Sequence, residues 1–259
     1  MKFSFQYTIA IFASLITALI FYLALKFSSL PIFLILTVLW LSFLTLLYIV
    51  FREKRRDHTL ALTYSTAISS MFLFSVIDDP NFRWFFIAFV SILFGILFGV
   101  VENESSPLGL SRRPFRRFAM MMWVFNAYAF FSCLFAVGVL FQSEWPASLE
   151  FILVPLSGIV AGLVAGEIWK MYVTFESKTF LFWRVVIALF ISEIFWSISL
   201  LPYGYLISGI LLTWLWYMLQ MLIRFHFQPS GIVWKKQLPF LIASAVIFVV
   251  LGIFFIRWI

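Results

Sequence analysis

Residues 31–51 read PIFLILTVLWLSFLTLLYIVF, and residues 52–58 read REKRRDH. The first stretch contains no charged residue, and its length matches the roughly 20 apolar residues that cross the ~30 Å hydrocarbon core of a bilayer. The second stretch is highly charged, and a basic cluster beside an apolar span is typical of the cytoplasmic side of a membrane. Together they predict a transmembrane helix that ends at the cytoplasmic surface.

The same alternation of apolar blocks and short polar segments continues along the 259 residues of the chain. Apolar residues make up 64% of the positions and charged residues 11%, whereas a soluble domain has about 25% charged residues. The pattern predicts an all-α, polytopic membrane helix bundle of about nine helices, with eight also possible. The predicted bundle is a single transmembrane domain over residues 1–259, without a soluble domain. The predicted spans are 5–25, 31–51, 59–77, 84–101, 118–142, 151–171, 181–201, 203–223 and 237–257.

The first block is read as a retained helix, because its apolar run exceeds the 7–15 residues of a signal peptide. Orientation follows from the basic residues, since Lys and Arg are retained in the cytoplasm. If the N-terminus is cytoplasmic, every Lys and Arg lies on the cytoplasmic side except Lys26, Arg83 and Arg257. The inside set is Lys2, Arg52, Lys54, Arg55, Arg56, Arg112, Arg113, Arg116, Arg117, Lys170, Lys178, Arg184, Arg224, Lys235 and Lys236.

This distribution predicts a multi-pass protein of the cell membrane. Its partner is the lipid bilayer, and its basic cytoplasmic segments are suited to contact anionic headgroups. Membrane topology explains the net charge of +7 without a nucleic-acid partner.

No residue pattern indicates a catalytic, cofactor-binding or metal site. The chain lacks HExxH, GxSxG, CxxC, Walker and GxGxxG motifs. His58 and His226 lie in basic cytoplasmic segments, where a solvated or lipid-facing side chain is the simpler interpretation. Cys133 lies inside an apolar block and is interpreted as a structural thiol. We therefore expect no cofactor or metal, and a non-enzymatic function is favoured.

Glycines at four-residue spacing form a flat strip on one predicted span. Gly158, Gly162 and Gly166 make up this glycine ridge, and Gly95 and Gly99 form a shorter version on another span. Small residues at this spacing let helix backbones approach closely in a membrane. We expect packing within the chain, with a homodimer face as the alternative.

Glu193 is the deepest charged residue of the predicted spans. Counted from Leu181 at about 1.5 Å per residue, it lies roughly 18 Å from the cytoplasmic edge. A charge at that depth costs at least ~2.5–3.5 kcal/mol on insertion scales, so burial between helices is expected. A tight turn at Pro202 brings Thr213 level with Glu193 as a hydrogen-bond partner, and Gly158 reaches the same level from the preceding helix.

A second polar group is expected nearer the cytoplasm. Glu167 and Arg184 flank the loop between two spans symmetrically, which predicts an ion pair between adjacent antiparallel helices. The same geometry across the preceding loop brings Asn126 level with Glu167. Three successive helices are thus expected to share one polar layer.

Three functions fit this picture. The first is a small-solute or proton/cation transporter with Glu193 as the coupling acid, since intramembrane acids commonly mark ion pathways. The second is a non-catalytic membrane scaffold or a subunit of a membrane complex, in which the polar layer and the glycine ridge serve packing. The third and weakest is an enzyme that acts on lipid at the cytoplasmic face. The substrate, the partner and the oligomeric state stay open.

Overall fold

The computed structural model describes most of the chain, and all regular secondary structure in the described part is α-helical. The described residues are 2–27, 29–50, 57–100, 112–141, 146–173, 177–227 and 234–255. Their helices are α1 Lys2–Lys26, α2 Leu30–Val50, α3 Asp57–Val76, α4 Pro80–Val100, α5 Arg112–Phe141, α6 Pro146–Lys170, α7 Ser177–Ser199, α8 Tyr205–His226 and α9 Trp234–Phe255. Each helix overlaps one predicted span, so the all-α fold is confirmed.

Seven of these helices are long and apolar enough, by length and composition, to cross a membrane. The exceptions are α3 and α9, whose apolar described segments Leu60–Val76 and Leu241–Val250 are shorter. The protein is therefore a multi-pass helical membrane protein.

Some helices begin several residues before the predicted spans. Helix α5 begins at Arg112 rather than at position 118, and α6 begins at Pro146 rather than at position 151. Helix α4 shows what sets such a start, because Asp79 Oδ1 accepts a hydrogen bond of 2.7 Å from the backbone N–H of Phe82. Pro80 occupies the first helical position, where its missing N–H costs nothing. Hydropathy marks where a helix enters lipid, whereas the cap marks where the helix begins.

The chain divides into two compact units, Met1–Asn126 and Ala127–Ile259, with the boundary inside α5. In the first unit α1 packs most extensively on α4, and α2 and α3 also pack on each other. Aromatic rings fill its core through edge and tilted contacts. They are Phe21, Trp40, Phe74, Phe86 and Phe94.

The shorter glycine strip lies at the α1–α4 contact. A Cβ added at Gly95 would lie 3.4 Å from Ser14 Cβ, and one at Gly99 would lie 3.6 Å from Ala10 Cβ. Both glycines therefore serve packing inside the first unit.

In the second unit α6 packs most extensively on α7, and α7 also packs on α8. The rings of Phe135 and Phe195 stack between α5 and α7 with centroids 4.3 Å apart. The rings of Trp214 and Phe248 stack between α8 and α9 at 4.9 Å. These contacts fix the helices that carry most of the predicted site residues.

Candidate functional site

The glycine ridge of α6 lies against α7. A Cβ added at Gly158 would lie 2.1 Å from the carbonyl oxygen of Ala188, and one at Gly162 would lie 2.7 Å from that of Arg184. A Cβ at Gly166 would lie 3.0 Å from Nε of Arg184. The ridge thus packs within the chain, and its closeness fixes the face that α7 turns toward α6.

Arg184 lies on this glycine surface and does not pair with Glu167. Its Nε donates to the carbonyl oxygen of Gly162 at 3.2 Å, and its guanidinium lies 5.4 Å from the ring centroid of Phe180. Glu167 instead forms an ion pair of 2.5 Å with Lys170. The predicted Glu167–Arg184 pair is wrong, because Lys170 is a helical neighbour three residues away that Glu167 reaches on its own surface.

Asn126 takes its hydrogen-bond partners within the first unit. Its Nδ2 lies 3.1 Å from Oγ of Ser65 and 3.1 Å from Oγ1 of Thr66, and it donates to both. Both hydroxyls belong to α3, whose central turns are rich in Ser and Thr. The polar layer predicted from chain symmetry took no account of α3, since that estimate considered only helices joined by consecutive loops.

Glu193 is exposed on α7, and the predicted burial is wrong. The residue that faces Gly158 is Ser192, whose Oγ would lie 2.3 Å from a Cβ at that glycine. One further residue turns a helix by about 100°, so Glu193 points away from α6. The predicted level with Gly158 was correct to one residue, because Ser192 lies there, but the predicted face of α7 was wrong.

Thr213 does not bind Glu193. It is buried, and its Oγ1 donates to the carbonyl oxygen of Gly209 one turn earlier on α8. Among the described residues, the carboxylate of Glu193 makes no hydrogen bond or ion pair with another residue. Glu193 therefore lies inside the apolar segment Lys178–Ser199 with no partner in this part of the chain.

Large apolar side chains surround Glu193 on the exposed face of α7. We name this set the α7 outer face, and it comprises Leu189, Phe190, Glu193, Trp196 and Leu200. In a membrane these side chains meet lipid or another protein, and lipid offers the carboxylate no hydrogen-bond donor in the hydrocarbon region. This face is the candidate functional site.

Sequence reasoning missed a buried polar row on α8. Trp216, Gln220 and Arg224 follow one another at four-residue spacing, and all three are buried. Nε1 of Trp216 donates to the carbonyl oxygen of Ala161 at 3.0 Å, and Nε1 of Trp169 donates to that of Gln220 at 3.2 Å. The four-residue spacing of Gln220 and Arg224 indicates a polar strip on one face of α8, but Arg224 was interpreted only as a cytoplasmic charge that sets the membrane orientation.

Metal chemistry finds no support in the described residues, among which no three His, Cys, Asp or Glu side chains cluster. His226 is exposed and its ring lies 6.3 Å from that of Trp183, while the side chain of His58 lies outside the described part. The chain matches no protein-family model, no curated protein and no solved structure. Functional inference therefore depends on the geometry alone.

Proposed function

We propose that the protein is a non-catalytic subunit of a membrane complex and that the α7 outer face contacts its partner. The observation that carries this proposal is the exposure of Glu193 within an apolar span. Left in lipid, a charged group there costs about 2.5–3.5 kcal/mol on insertion scales near the bilayer centre. A neighbouring helix that donates a hydrogen bond offsets this cost.

The chemistry of the face defines the partner. Trp196 is 50% exposed and Phe190 is 54% exposed, and both flank the carboxylate. Aromatic anchors around one polar group are typical of binding surfaces. The occupant we propose is a transmembrane helix of a different protein that carries a hydroxyl, amide or basic donor at the depth of Glu193.

Photo-crosslinking in native membranes, where the partner is present, tests this proposal. A benzoylphenylalanine residue replaces Phe190 on the α7 outer face, or Ile159 on an exposed position of α6 as the control. We expect a discrete protein adduct from position 190 and none from position 159. Glu193→Leu should reduce the adduct several-fold, whereas Glu193→Gln should retain most of it because the amide still forms hydrogen bonds.

Other outcomes overturn the proposal. An adduct of twice the chain's own mass indicates a homodimer, and adducts with lipid alone indicate that no protein covers this face. Equal adducts from positions 159 and 190 indicate nonspecific collisions.

Transport of a small polar solute is the second candidate, and Gln220 favours it. This side chain is fully buried, and neither its Nε2 nor its Oε1 has a hydrogen-bond partner among the described residues. A buried amide in this state is typical of a site that holds water or solute. In liposomes, Gln220→Leu should abolish solute or proton flux if α8 lines a route, whereas Glu193→Gln should leave the flux unchanged. No flux in the parent protein excludes this candidate for the solutes tested.

The membrane placement is also part of the proposal. We place the protein in the cell membrane with a cytoplasmic N-terminus, where the basic segments contact anionic headgroups. The basic residues of 52–56 lie outside the described residues. Arg116 and Arg117 are exposed at the start of α5, which supports such a contact.

A further inference from the structure

A cavity of about 90 Å³ lies within the second unit, where α5 and α7 end and α6 and α8 begin. The stacked rings of Phe135 and Phe195 line it, and the carboxylate-bearing Glu150 lines it from the start of α6. Glu193 is not among its lining residues. The cavity is therefore separate from the α7 outer face, and ligand binding there does not depend on the proposed function.

The lining combines one negative charge with aromatic rings and hydroxyls. Among the described lining residues, Glu150 carries the only charged side chain, and none is Lys or Arg. Tyr203 and Tyr205 add rings and phenolic oxygens, and Ser208 adds a buried hydroxyl. Aromatic faces attract cations through their quadrupole, and a carboxylate accepts charge-assisted hydrogen bonds. This combination selects for a positive charge.

The cavity has room for a small ligand. One water needs roughly 10–15 Å³ of such space, so the cavity admits a ligand of several non-hydrogen atoms. A primary ammonium donates up to three hydrogen bonds, which suits a carboxylate and hydroxyl oxygens. A short alkyl chain suits the apolar part of the lining, which includes Leu134 and Leu153.

We propose that this cavity binds a small primary alkylammonium ion. The ammonium group donates to the carboxylate of Glu150 and to the phenolic oxygens of the tyrosines, and the alkyl group packs against the leucines and the Phe135–Phe195 stack. For ethylammonium, which has three non-hydrogen atoms, the limit on affinity per atom places the Kd at about 1 mM or weaker.

Ligand-observed NMR titration of the full-length protein in nanodiscs tests the site. The probe is ethylammonium chloride, and ethanol is the uncharged control with the same number of non-hydrogen atoms. We expect saturable ethylammonium binding in the millimolar range and much weaker binding of ethanol. Equal binding of the two ligands overturns the proposal, because it shows that charge is not recognised.

Two variants locate the site. Glu150→Gln should weaken ethylammonium binding several-fold, because the exposed carboxylate that accepts the charge-assisted hydrogen bond is lost. Glu167→Gln is the matched control, since Glu167 lies on the same helix but pairs with Lys170. An unchanged Kd in Glu150→Gln, or an equal loss in Glu167→Gln, overturns the assignment.

Two substitutions of Gly138 test the cavity without changing charge. Gly138 lines it, and a Cβ there would meet Leu153 Cδ1 at an ordinary 3.6 Å. Gly138→Ala should therefore fold normally and keep most of the binding, whereas Gly138→Leu should fill the space and abolish it. Thermal melting of each variant separates misfolding from lost binding. Retained binding in a folded Gly138→Leu protein overturns the proposal.

Discussion

Ser192 and Glu193 are neighbours in the sequence, but they lie on different sides of α7. Ser192 faces Gly158 on α6, whereas Glu193 is exposed. The difference follows from the turn of about 100° that each helical residue adds. Counting residues along the chain ignores this turn, so it predicted a position within one residue of the one that faces Gly158 but the wrong face of α7.

The exposure of Glu193 leads to a prediction about stability. In the isolated protein, Glu193→Leu should leave the thermal stability in nanodiscs unchanged or raise it, because no described residue loses a hydrogen bond. Glu193→Gln should behave like the parent protein. A buried, hydrogen-bonded acid would instead lose about 1–3 kcal/mol in the leucine variant. A clear fall in melting temperature for Glu193→Leu contradicts the exposed placement.

Substitution of the glycine ridge should show how closely α6 and α7 approach. Gly158→Ala places a methyl group 2.1 Å from the carbonyl oxygen of Ala188, so the helices must separate. Overpacking of this kind typically costs about 1–3 kcal/mol. Folded yield and thermal melting in detergent measure the loss.

Gly99→Ala is the matched control for that variant. Its added methyl group meets Ala10 Cβ at an ordinary 3.6 Å, and alanine raises helix propensity by about 1 kcal/mol relative to glycine. The control should therefore be neutral or stabilising. Equal stability of Gly158→Ala and Gly99→Ala would show that the ridge is not in close contact.

At the scale of the helix, α8 differs from its neighbours in what it buries. Its buried face carries Trp216, Gln220 and Arg224 at four-residue spacing, and the guanidinium of Arg224 lies 4.6 Å from the ring centroid of Tyr172 on the segment after α6. Hydrogen bonds from Trp216 and Trp169 join α6 and α8 by side chain to backbone. Helix α7, in contrast, keeps its charged Glu193 outside.

The hydrogen bond from Trp216 on α8 to the backbone of α6 can be tested by substitution. Trp216→Phe should lower the free energy of unfolding by at least about 0.6 kcal/mol, the average of interhelical hydrogen bonds in membranes, because it removes this bond and also leaves space where the buried indole packed. Trp196→Phe is the control, because the Trp196 ring is half exposed on the α7 outer face. Equilibrium unfolding in mixed micelles compares the two. An equal effect of both substitutions contradicts a specific α6–α8 bond.

At the scale of the whole molecule, the two compact units divide the chain inside α5. The first unit is filled by aromatic contacts among its helices, and the second is organised by the glycine ridge and by α8. The sequence contains no linker at this boundary, so hydropathy alone did not suggest it. The single domain over residues 1–259 remains a prediction.

The membrane topology of the whole chain can be tested with reporter fusions. Reporter fusions after Arg56, Arg117 and Lys236 should read cytoplasmic, because basic residues are retained inside. A fusion after the C-terminal residue should read external, since an odd number of spans returns the chain to the far side. A cytoplasmic C-terminus would indicate eight spans.

The sequence by itself determined the fold class, the approximate position of each helix and the absence of a recognisable catalytic motif. Hydropathy is sufficient to locate the helices, because a helix that crosses the hydrocarbon core must be apolar over the length that contacts lipid. The spacing of Gly158, Gly162 and Gly166 likewise indicated a close helix contact, since only small side chains permit it.

Only the tertiary structure decided which side chains meet. It paired Glu167 with Lys170, turned Glu193 outward, gave Asn126 its partners on α3, and formed a cavity beside Glu150. These outcomes depend on the rotation of each helix about its axis and on contacts between helices that are not consecutive. Hydropathy varies little around an almost uniformly apolar helix, so the sequence does not fix that rotation, and the packing of neighbouring side chains does.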